Sequence, residues 1–209
     1  MRRPRTLQFL LMVIAAVLPA GGASAQSDRE LCAKETGDAA IAACDKAIAA
    51  NPKDADSFSN RGFTWSLKGD QDKAIADFNE ALKLNPKHAR ALSNRGVAWN
   101  RKGDPDKAIV DSTEAIRINK RYAKAYNNRG VALIRKREFD KAIADLNESI
   151  KLNPKDPSAY FNRGNALELK GSLMEALADF RKFAELSPKD TDGPAAIARV
   201  EQKLKAKGS

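Results

Sequence analysis

The sequence predicts an all-α solenoid of antiparallel helix hairpins, chiefly because one motif returns every 34 residues. The tripeptide Asn-Arg-Gly begins at four equally spaced positions, which are Asn60, Asn94, Asn128 and Asn162. A fixed period of this length is typical of repeat proteins in which each unit buries its apolar face only against its neighbours. A content of 43% hydrophobic residues fits such a folded, globular chain.

Turn signals divide each 34-residue unit into two helices. A glycine, able to end a helix with positive φ, precedes a residue suited to begin the next one. These pairs are Gly37-Asp38, Gly69-Asp70, Gly103-Asp104 and Gly171-Ser172, with Arg137-Glu138 at the same place in one unit. The second helices should end at Asn51, Asn85, Asn153 and Ser187, because proline follows each of them. Asn119 lacks the proline, and we expect a bend there as well.

Small and apolar residues recur at fixed places within the units. One unit carries Phe58, Gly62, Trp65, Ala74, Phe78, Ala81 and Pro86, and the next carries Leu92, Gly96, Trp99, Ala108 and Ala115. The later units continue with Tyr126, Gly130, Ala142, Leu146 and Ser149, then with Tyr160, Gly164, Ala176, Phe180, Ala184 and Pro188. This pattern resembles the tetratricopeptide repeat over residues 55–190, and less completely back to about residue 27. The resemblance implies a right-handed superhelix whose first helices line a concave face.

The period also sets the predicted organisation of the chain. A divergent first repeat over 26–54 is followed by four full repeats over 55–88, 89–122, 123–156 and 157–190. Residues 191–209 form a capping helix and tail, in which Ile197, Val200 and Leu204 make a narrow apolar stripe. We expect each repeat's glycine to meet an alanine of its partner helix, pairing Gly62 with Ala74, Gly96 with Ala108, Gly130 with Ala142 and Gly164 with Ala176.

Residues 1–25 read as a secretory signal peptide. Basic residues precede an apolar run over 10–18 and the small triplet Ala23-Ser24-Ala25, so we expect cleavage before Gln26. A membrane anchor is the alternative, but a span needs about 20 apolar residues. The mature protein is therefore expected to be periplasmic or secreted, with no membrane span.

Cys32 and Cys44 are the two cysteines of the chain, and they stand symmetrically about Asp38 in the first hairpin. Facing positions on a hairpin suit a disulfide, which an oxidising compartment would preserve. Two buried thiols are the alternative, because Cys44 takes the place of Phe78 and Phe180. Redox catalysis lacks the Cys-x-x-Cys spacing that it uses.

No catalytic or metal-binding constellation can be assembled from the sequence. His88 is the single histidine and lies in a linker, and no phosphate-binding glycine loop is present. The sequence therefore predicts a non-enzymatic protein that needs no cofactor.

Charge is concentrated in the middle of the array. Residues 89–122 carry a net charge of +4 and residues 123–156 carry +3, whereas the two flanking full repeats are neutral. Each Arg of the tripeptide has an Asp sixteen residues later, and this pairing has two interpretations. A structural ion pair is the favoured one, and a row of arginines open to an acidic ligand is the alternative.

The tetratricopeptide resemblance places the asparagines Asn60, Asn94, Asn128 and Asn162 on the concave face. Side chains there can hydrogen-bond the backbone of an extended peptide. Four basic residues share this face in the middle repeats, namely Arg90, Arg101, Lys124 and Arg135. Of the residues with which some family members clamp a terminal carboxylate, Asn94 and Lys124 match, while Ser59, Phe63 and Asn128 do not.

These observations favour a scaffold whose concave groove binds a protein or peptide partner, with acidic character to match the basic centre. A charge-led binder of an anionic polymer or envelope surface is an alternative, as is a structural subunit of an envelope assembly. Nucleic acid is not expected as a partner, because export would remove the chain from it. The partner's identity, the pathway and the oligomeric state do not follow from the sequence.

Overall fold

A computed structural model describes residues 20–208, and it contains α-helices and no strands in this range. The helices are α1 (Ala20–Lys34), α2 (Gly37–Ala50), α3 (Ala55–Leu67), α4 (Gln71–Leu84), α5 (Ala89–Lys102), α6 (Pro105–Ile118), α7 (Ala123–Arg135), α8 (Phe139–Leu152), α9 (Pro157–Lys170), α10 (Leu173–Leu186) and α11 (Asp192–Gly208). Within the described chain, no helix has the length and apolar character needed to cross a membrane. The predicted signal peptide lies largely outside the described residues, so the structure does not test it.

The helices pack as successive antiparallel pairs, which confirms the predicted solenoid. Each first helix contacts its own second helix and, from α3 onwards, the second helix before it. Successive first helices (α3, α5, α7 and α9) also contact one another, whereas successive second helices in the described range do not pack in this way. The first helices therefore line the inner, concave face, called the groove below, and the second helices spread apart on the outer face.

Left-handed residues make the turns within the hairpins. Gly69, Gly103 and Gly171 have φ values of 89°, 84° and 94°. Arg137 adopts the same conformation, with φ of 62°, and is the one non-glycine residue with positive φ in the described chain. Asp70 and Asp104 then cap the second helices by accepting hydrogen bonds from the backbone N–H groups of Lys73 and Lys107. The turn positions predicted from the sequence are confirmed, including the one at Arg137.

Asparagines rather than prolines are common to the bends between repeats. The helices end one residue before Asn51, Asn85, Asn119 and Asn153, and each side chain accepts a hydrogen bond from the backbone N–H two residues later. This local turn is a known use of asparagine. It explains why the chain bends at Asn119 although no proline follows.

The glycine of each tripeptide lies where the two helices of a hairpin cross. A Cβ added at Gly62 or Gly96 would stand 3.0 or 3.3 Å from the carbonyl oxygen of Ala74 or Ala108, as expected. The other two glycines differ from the expectation. At Gly130 the nearest atoms belong to Leu146, and at Gly164 they belong to Phe180. The larger side chains therefore lie over these two glycines and are their nearest neighbours across the hairpin.

The two ends of the array are closed in different ways. At the N-terminal end a disulfide joins Cys32 of α1 to Cys44 of α2, whose Cα atoms are 4.6 Å apart, as predicted. At the C-terminal end α11 buries Val200 against α10, with Ile197 and Leu204 packed beside it.

Glu168, whose side chain is only 6% exposed, ties α9 to the C-terminal cap. It accepts hydrogen bonds from Arg199 at 2.7 and 2.9 Å and from Lys203 at 2.7 Å. The Arg199 guanidinium holds the pKa of Glu168 below its usual value, with Lys203 contributing in the same direction.

Replacing Arg137 with glycine should stabilise the protein, because glycine accepts positive φ at little cost. Relief of the strain contributes about 1 kcal/mol, from which the lost contact of Arg137 with the Phe139 ring, at 5.8 Å, subtracts roughly half. We expect the melting temperature to rise by about 2 °C in thermal denaturation followed by circular dichroism. Gly103→Ala, at a turn with free space around it, should lower the melting temperature. A lower melting temperature for Arg137→Gly would contradict the assignment of strain.

Replacing Glu168 with glutamine should destabilise the protein at neutral pH by about 2 kcal/mol, because charged hydrogen bonds to α11 are lost. A lowered folded-state pKa means that the carboxylate stabilises the fold above the ordinary carboxyl pKa of about 4.3 and ceases to do so as the pH falls through the folded-state value. The difference between wild type and variant should therefore narrow below about pH 4.

The matched control is Glu185→Gln, since Glu185 is exposed and pairs with Lys182 on its own helix. Glu185→Gln should leave the melting temperature unchanged both at neutral pH and below about pH 4. A Glu168→Gln defect that persists undiminished in acid would contradict the charge-based explanation.

Candidate peptide-binding groove

The arginine of each Asn-Arg-Gly tripeptide forms hydrogen bonds to two neighbouring helices of the array. Arg95 on α5 donates two hydrogen bonds to Asp111 on α6, at 2.7 and 2.8 Å, and a third to Asn79 on the preceding second helix, at 2.6 Å. The arrangement recurs with Arg61 between Asp77 and Asp45, Arg129 between Asp145 and Thr113, and Arg163 between Asp179 and Asn147. We call these three-helix contacts the arginine clamps.

The clamps confirm the structural interpretation of the arginine–aspartate spacing. Asp111 is 4% exposed and the Arg95 side chain 22% exposed, so the pair lies mostly inside the array. Hydrogen bonding to Asp77 raises the pKa of Arg61, and Asp145 and Asp179 do the same for Arg129 and Arg163. The arginines are thus not a row of sites open to an acidic ligand.

Three of the four predicted groove asparagines bond to a neighbouring first helix. Asn60 accepts a hydrogen bond from Arg90 at 3.1 Å. Asn128 donates to the Ser93 hydroxyl at 2.9 Å, and Asn162 donates to the side-chain oxygen Oδ1 of Asn127 at 3.0 Å. Among the described residues the Asn94 side chain has no such partner. The four asparagines therefore occupy equivalent positions in their repeats, but they are not equally available to a ligand.

Two of the predicted basic residues are also held by the array. Arg90 lies 3.5 Å from Asp56 in addition to its bond to Asn60. Arg101 donates to the Ser66 backbone carbonyl at 2.6 Å and to the Ser66 hydroxyl at 3.1 Å. The charge of Arg90 is balanced by a carboxylate, whereas that of Arg101 meets only neutral acceptors.

Lys124 and Arg135 are exposed on α7. Neither makes a hydrogen bond or an ion pair with any residue in the described part of the chain. Together with Arg101 and Asn94 they form the centre of the groove, on the adjacent helices α5 and α7. This group carries three positive charges, and none of them forms an ion pair with a carboxylate of residues 20–208.

Sequence analysis did not identify the exposed apolar side chains that lie on the first helices outside this centre. Phe63 and Leu67 on α3 are 45% and 53% exposed, and Leu169 on α9 is 57% exposed. Leu67 and Leu169 occupy the repeat position that Arg101 and Arg135 hold in the middle. That 34-residue correspondence was the signal that could have revealed them.

His88 has partners that the sequence did not reveal. Its Nδ1 accepts a hydrogen bond from the Ala91 backbone N–H at 3.4 Å, which leaves the proton on Nε2 to face Asp56 at 3.1 Å. The ring therefore caps α5 and joins it to α3. Within the described range, no cluster of His, Cys, Asp or Glu is arranged to hold a metal ion.

Comparison with known proteins identifies the repeat. Two tetratricopeptide repeat family models match the chain, one over residues 55–88 and the other over residues 129–201. The TPR domain of Arabidopsis OM64 is 30% identical in sequence, and the chain covers 95% of it. The chain belongs to the tetratricopeptide repeat family. The OM64 match spans 55% of this chain, with a TM-score of 0.53.

Two further solved TPR structures show how far the similarity extends. MamA is 28% identical, with a TM-score of 0.63 over 80% of this chain and 94% of MamA. The first TPR of Spaghetti (RPAP3), solved with the HSP90 peptide SRMEEVD, is 27% identical, with a TM-score of 0.54 over 56% of this chain and 93% of that one. None of the curated proteins compared with the sequence matches it.

Removing one partner of an arginine clamp should be costly, because it leaves a mostly buried guanidinium uncompensated. We expect Asp111→Asn to reduce the free energy of unfolding by about 3 kcal/mol, measured by urea denaturation. Glu114→Gln is the matched control, since Glu114 pairs with Arg117 on the surface of the same helix, and it should leave the denaturation midpoint unchanged. Equal effects of the two variants would show that the clamps do not stabilise the array.

Proposed function

We propose that this TPR protein is a non-enzymatic scaffold that holds an extended segment of a protein partner in its groove. The observation that carries the proposal is the group of Asn94, Arg101, Lys124 and Arg135, whose polar side chains are not balanced by any described carboxylate. Asn60, Asn128 and Asn162, at the positions equivalent to Asn94, already bond to neighbouring first helices. Asn94, Lys124 and Arg135 have no side-chain partner among the described residues and are available for a ligand, and Arg101, which bonds to Ser66, adds its positive charge beside them.

The partner segment we propose is acidic in its centre and apolar at its ends. Lys124, Arg135 and Arg101 supply positive charge at the middle of the groove, which favours carboxylates and speeds their approach. Phe63 and Leu67 at one end and Leu169 at the other offer apolar contacts. Asn94 can hydrogen-bond the backbone of a segment lying between them.

The similarity to a peptide-bound relative supports this mode of binding in general. The Spaghetti (RPAP3) structure contains an acidic HSP90 peptide. The groove proposed here does not copy a clamp for a terminal carboxylate, because Ser59, Phe63 and Asn128 stand at three of the clamp positions. Recognition of an internal segment, rather than of a chain terminus, follows from this difference.

We also propose that the protein acts after export, in the periplasm or outside the cell. The apolar run and small-residue triplet of residues 1–25 support export. The Cys32–Cys44 disulfide supports it independently, because such bonds persist in oxidising compartments.

Replacing both Lys124 and Arg135 with alanine tests the groove. The probe is a fluorescein-labelled peptide with three glutamates in its centre and leucines at both ends, followed by fluorescence anisotropy. We expect the double variant to bind about three- to thirtyfold more weakly, since two exposed charge contacts together contribute about 0.6 to 2 kcal/mol. Lys87→Ala with Lys155→Ala, in the turns between repeats, is the matched control and should bind as wild type does.

The same assay separates the groove from a charge-led surface. An all-glutamate peptide of equal length should bind more weakly than the leucine-flanked probe. Raising the salt concentration from about 50 to 200 mM should weaken the binding of the probe only several-fold. Equal binding of the two peptides, with a collapse in the higher salt, would instead favour a binder of anionic polymers. Unchanged probe binding by the Lys124/Arg135 variant would overturn the groove proposal.

A further inference from the structure

The outer face carries a series of clefts that the groove proposal does not use. Because successive second helices spread apart, a gap opens between them above the first helix that they enclose. Three such clefts have corresponding residues 34 or 68 positions apart in the chain. The residue at the base of each cleft is Trp65, Leu133 or Leu167, and the clefts are named after these residues.

The Trp65 cleft is largely filled by its own indole ring. Its volume is 230 Å³, and the ammonium group of Lys73 lies 4.3 Å from the ring centre. Trp99 occupies the same place in the next repeat, where the ammonium group of Lys107 lies 4.4 Å from its ring centre. In two repeats, therefore, an indole ring lies beneath a lysine ammonium group at this place. A cation over an aromatic face is favourable.

The Leu133 cleft has the lysine but lacks the ring. Lys141 stands where Lys73 and Lys107 stand, and its ammonium group pairs with Glu138 at 2.6 Å. The smaller leucine leaves a cleft of 640 Å³ between α6 and α8. Ile109 and Val110 form one wall, and Val110 is 67% exposed. One apolar wall and the ammonium group of Lys141 thus border an empty space, whose remaining rim includes the ion-paired side chains of Lys136 and Glu138.

The Leu167 cleft lacks the lysine whose ammonium group would attract an aromatic ring. Its base is again leucine, and its volume is 490 Å³. Glu175 replaces the lysine, so a carboxylate stands where the other repeats place an ammonium group. A negative charge repels the negative face of an aromatic ring. The Leu167 cleft therefore serves as an internal control for the Leu133 cleft.

We propose that the Leu133 cleft binds a tryptophan side chain presented by a partner protein, in the place that Trp65 and Trp99 fill in their own repeats. The indole would pack on Ile109, Val110 and Leu133 beneath the ammonium group of Lys141. Trp65 and Trp99 are the only tryptophans of the chain and lie in their own repeats, so the ring comes from another protein. This second docking point lies on the face opposite the groove and does not depend on the groove proposal.

Titration of the full chain with N-acetyltryptophanamide, followed by methyl NMR, tests the proposal. We expect saturable shifts of Ile109, Val110 and Leu133, with a dissociation constant on the order of 1 mM for so small a ligand. N-acetylalaninamide should produce no saturable shifts. Shifts of Leu167, in the control cleft, should be absent or at least about threefold smaller at the same ligand concentration.

Two variants probe the two parts of the site separately. Leu133→Trp gives this repeat the residue found at Trp65 and Trp99 and should abolish the saturable shifts of Ile109 and Val110. Lys141→Ala changes an exposed side chain without disturbing the core, and it should weaken binding about two- to fivefold, as expected for one cation–ring contact. Phe63→Ala, in the groove, should bind the probe as wild type does.

The proposal is overturned if no saturable shift occurs in wild type, or if the shifts centre on Leu167 or Leu169 instead of Leu133. It is also overturned if both Leu133→Trp and Lys141→Ala bind as wild type does. Should Leu133→Trp fail to fold, judged by its helical circular dichroism, the Lys141→Ala result decides alone.

Discussion

The arginine clamps are the interaction on which the rest of the array depends. A helix hairpin of 34 residues cannot bury enough apolar surface to be stable alone, so each repeat needs a defined contact with the one before it. Arg95 supplies this contact by holding Asp111 in its own hairpin and Asn79 in the preceding one. The planar guanidinium makes such a double contact possible, since it donates in several fixed directions at once. The geometry of the groove is thus set by a polar contact between repeats as well as by the core.

The clamps also influence what the two faces can do. They lie between the helix layers, where they join the second helices to the first, and the first helices pack closely on the concave side. The second helices remain apart on the outer side. One arrangement therefore produces a continuous groove on one face and separate clefts on the other. An extended segment suits the groove, whereas a single side chain suits a cleft.

Much of the fold could be predicted from the sequence because its determinants are local. The 34-residue period, the glycines at the turns and the asparagines at the bends each act within a few residues, and the turn at Arg137 could be located from its position in the repeat alone. The Asp111 partner of Arg95 followed from the geometry of a hairpin. The third bond of the clamp, to Asn79, did not, because it depends on how neighbouring hairpins are placed.

The candidate site was predicted less completely for the same physical reason. Asn60, Asn94, Asn128 and Asn162 are equivalent in the repeat, yet their neighbours on adjacent helices are different. Only the structure shows that Asn128 is bound to Ser93 while Asn94 is not. His88 was interpreted as a linker residue, and its contact with Asp56 was not predicted because the two residues lie 32 positions apart in the chain. Contacts between repeats thus decide which groove residues remain available.

Because of the disulfide between Cys32 and Cys44, the two ends of the array are held together by different kinds of bond. The C-terminal end is covered by α11, which packs through Val200, and that cover depends on noncovalent contacts. The N-terminal end is a divergent hairpin whose buried cysteines form a small cluster of their own with Ala43. Its two helices are held by a covalent bond that exists only where oxidants reach the chain. A reducing agent therefore acts directly on one end of the array alone, since the described C-terminal cover contains no bond that reduction can break.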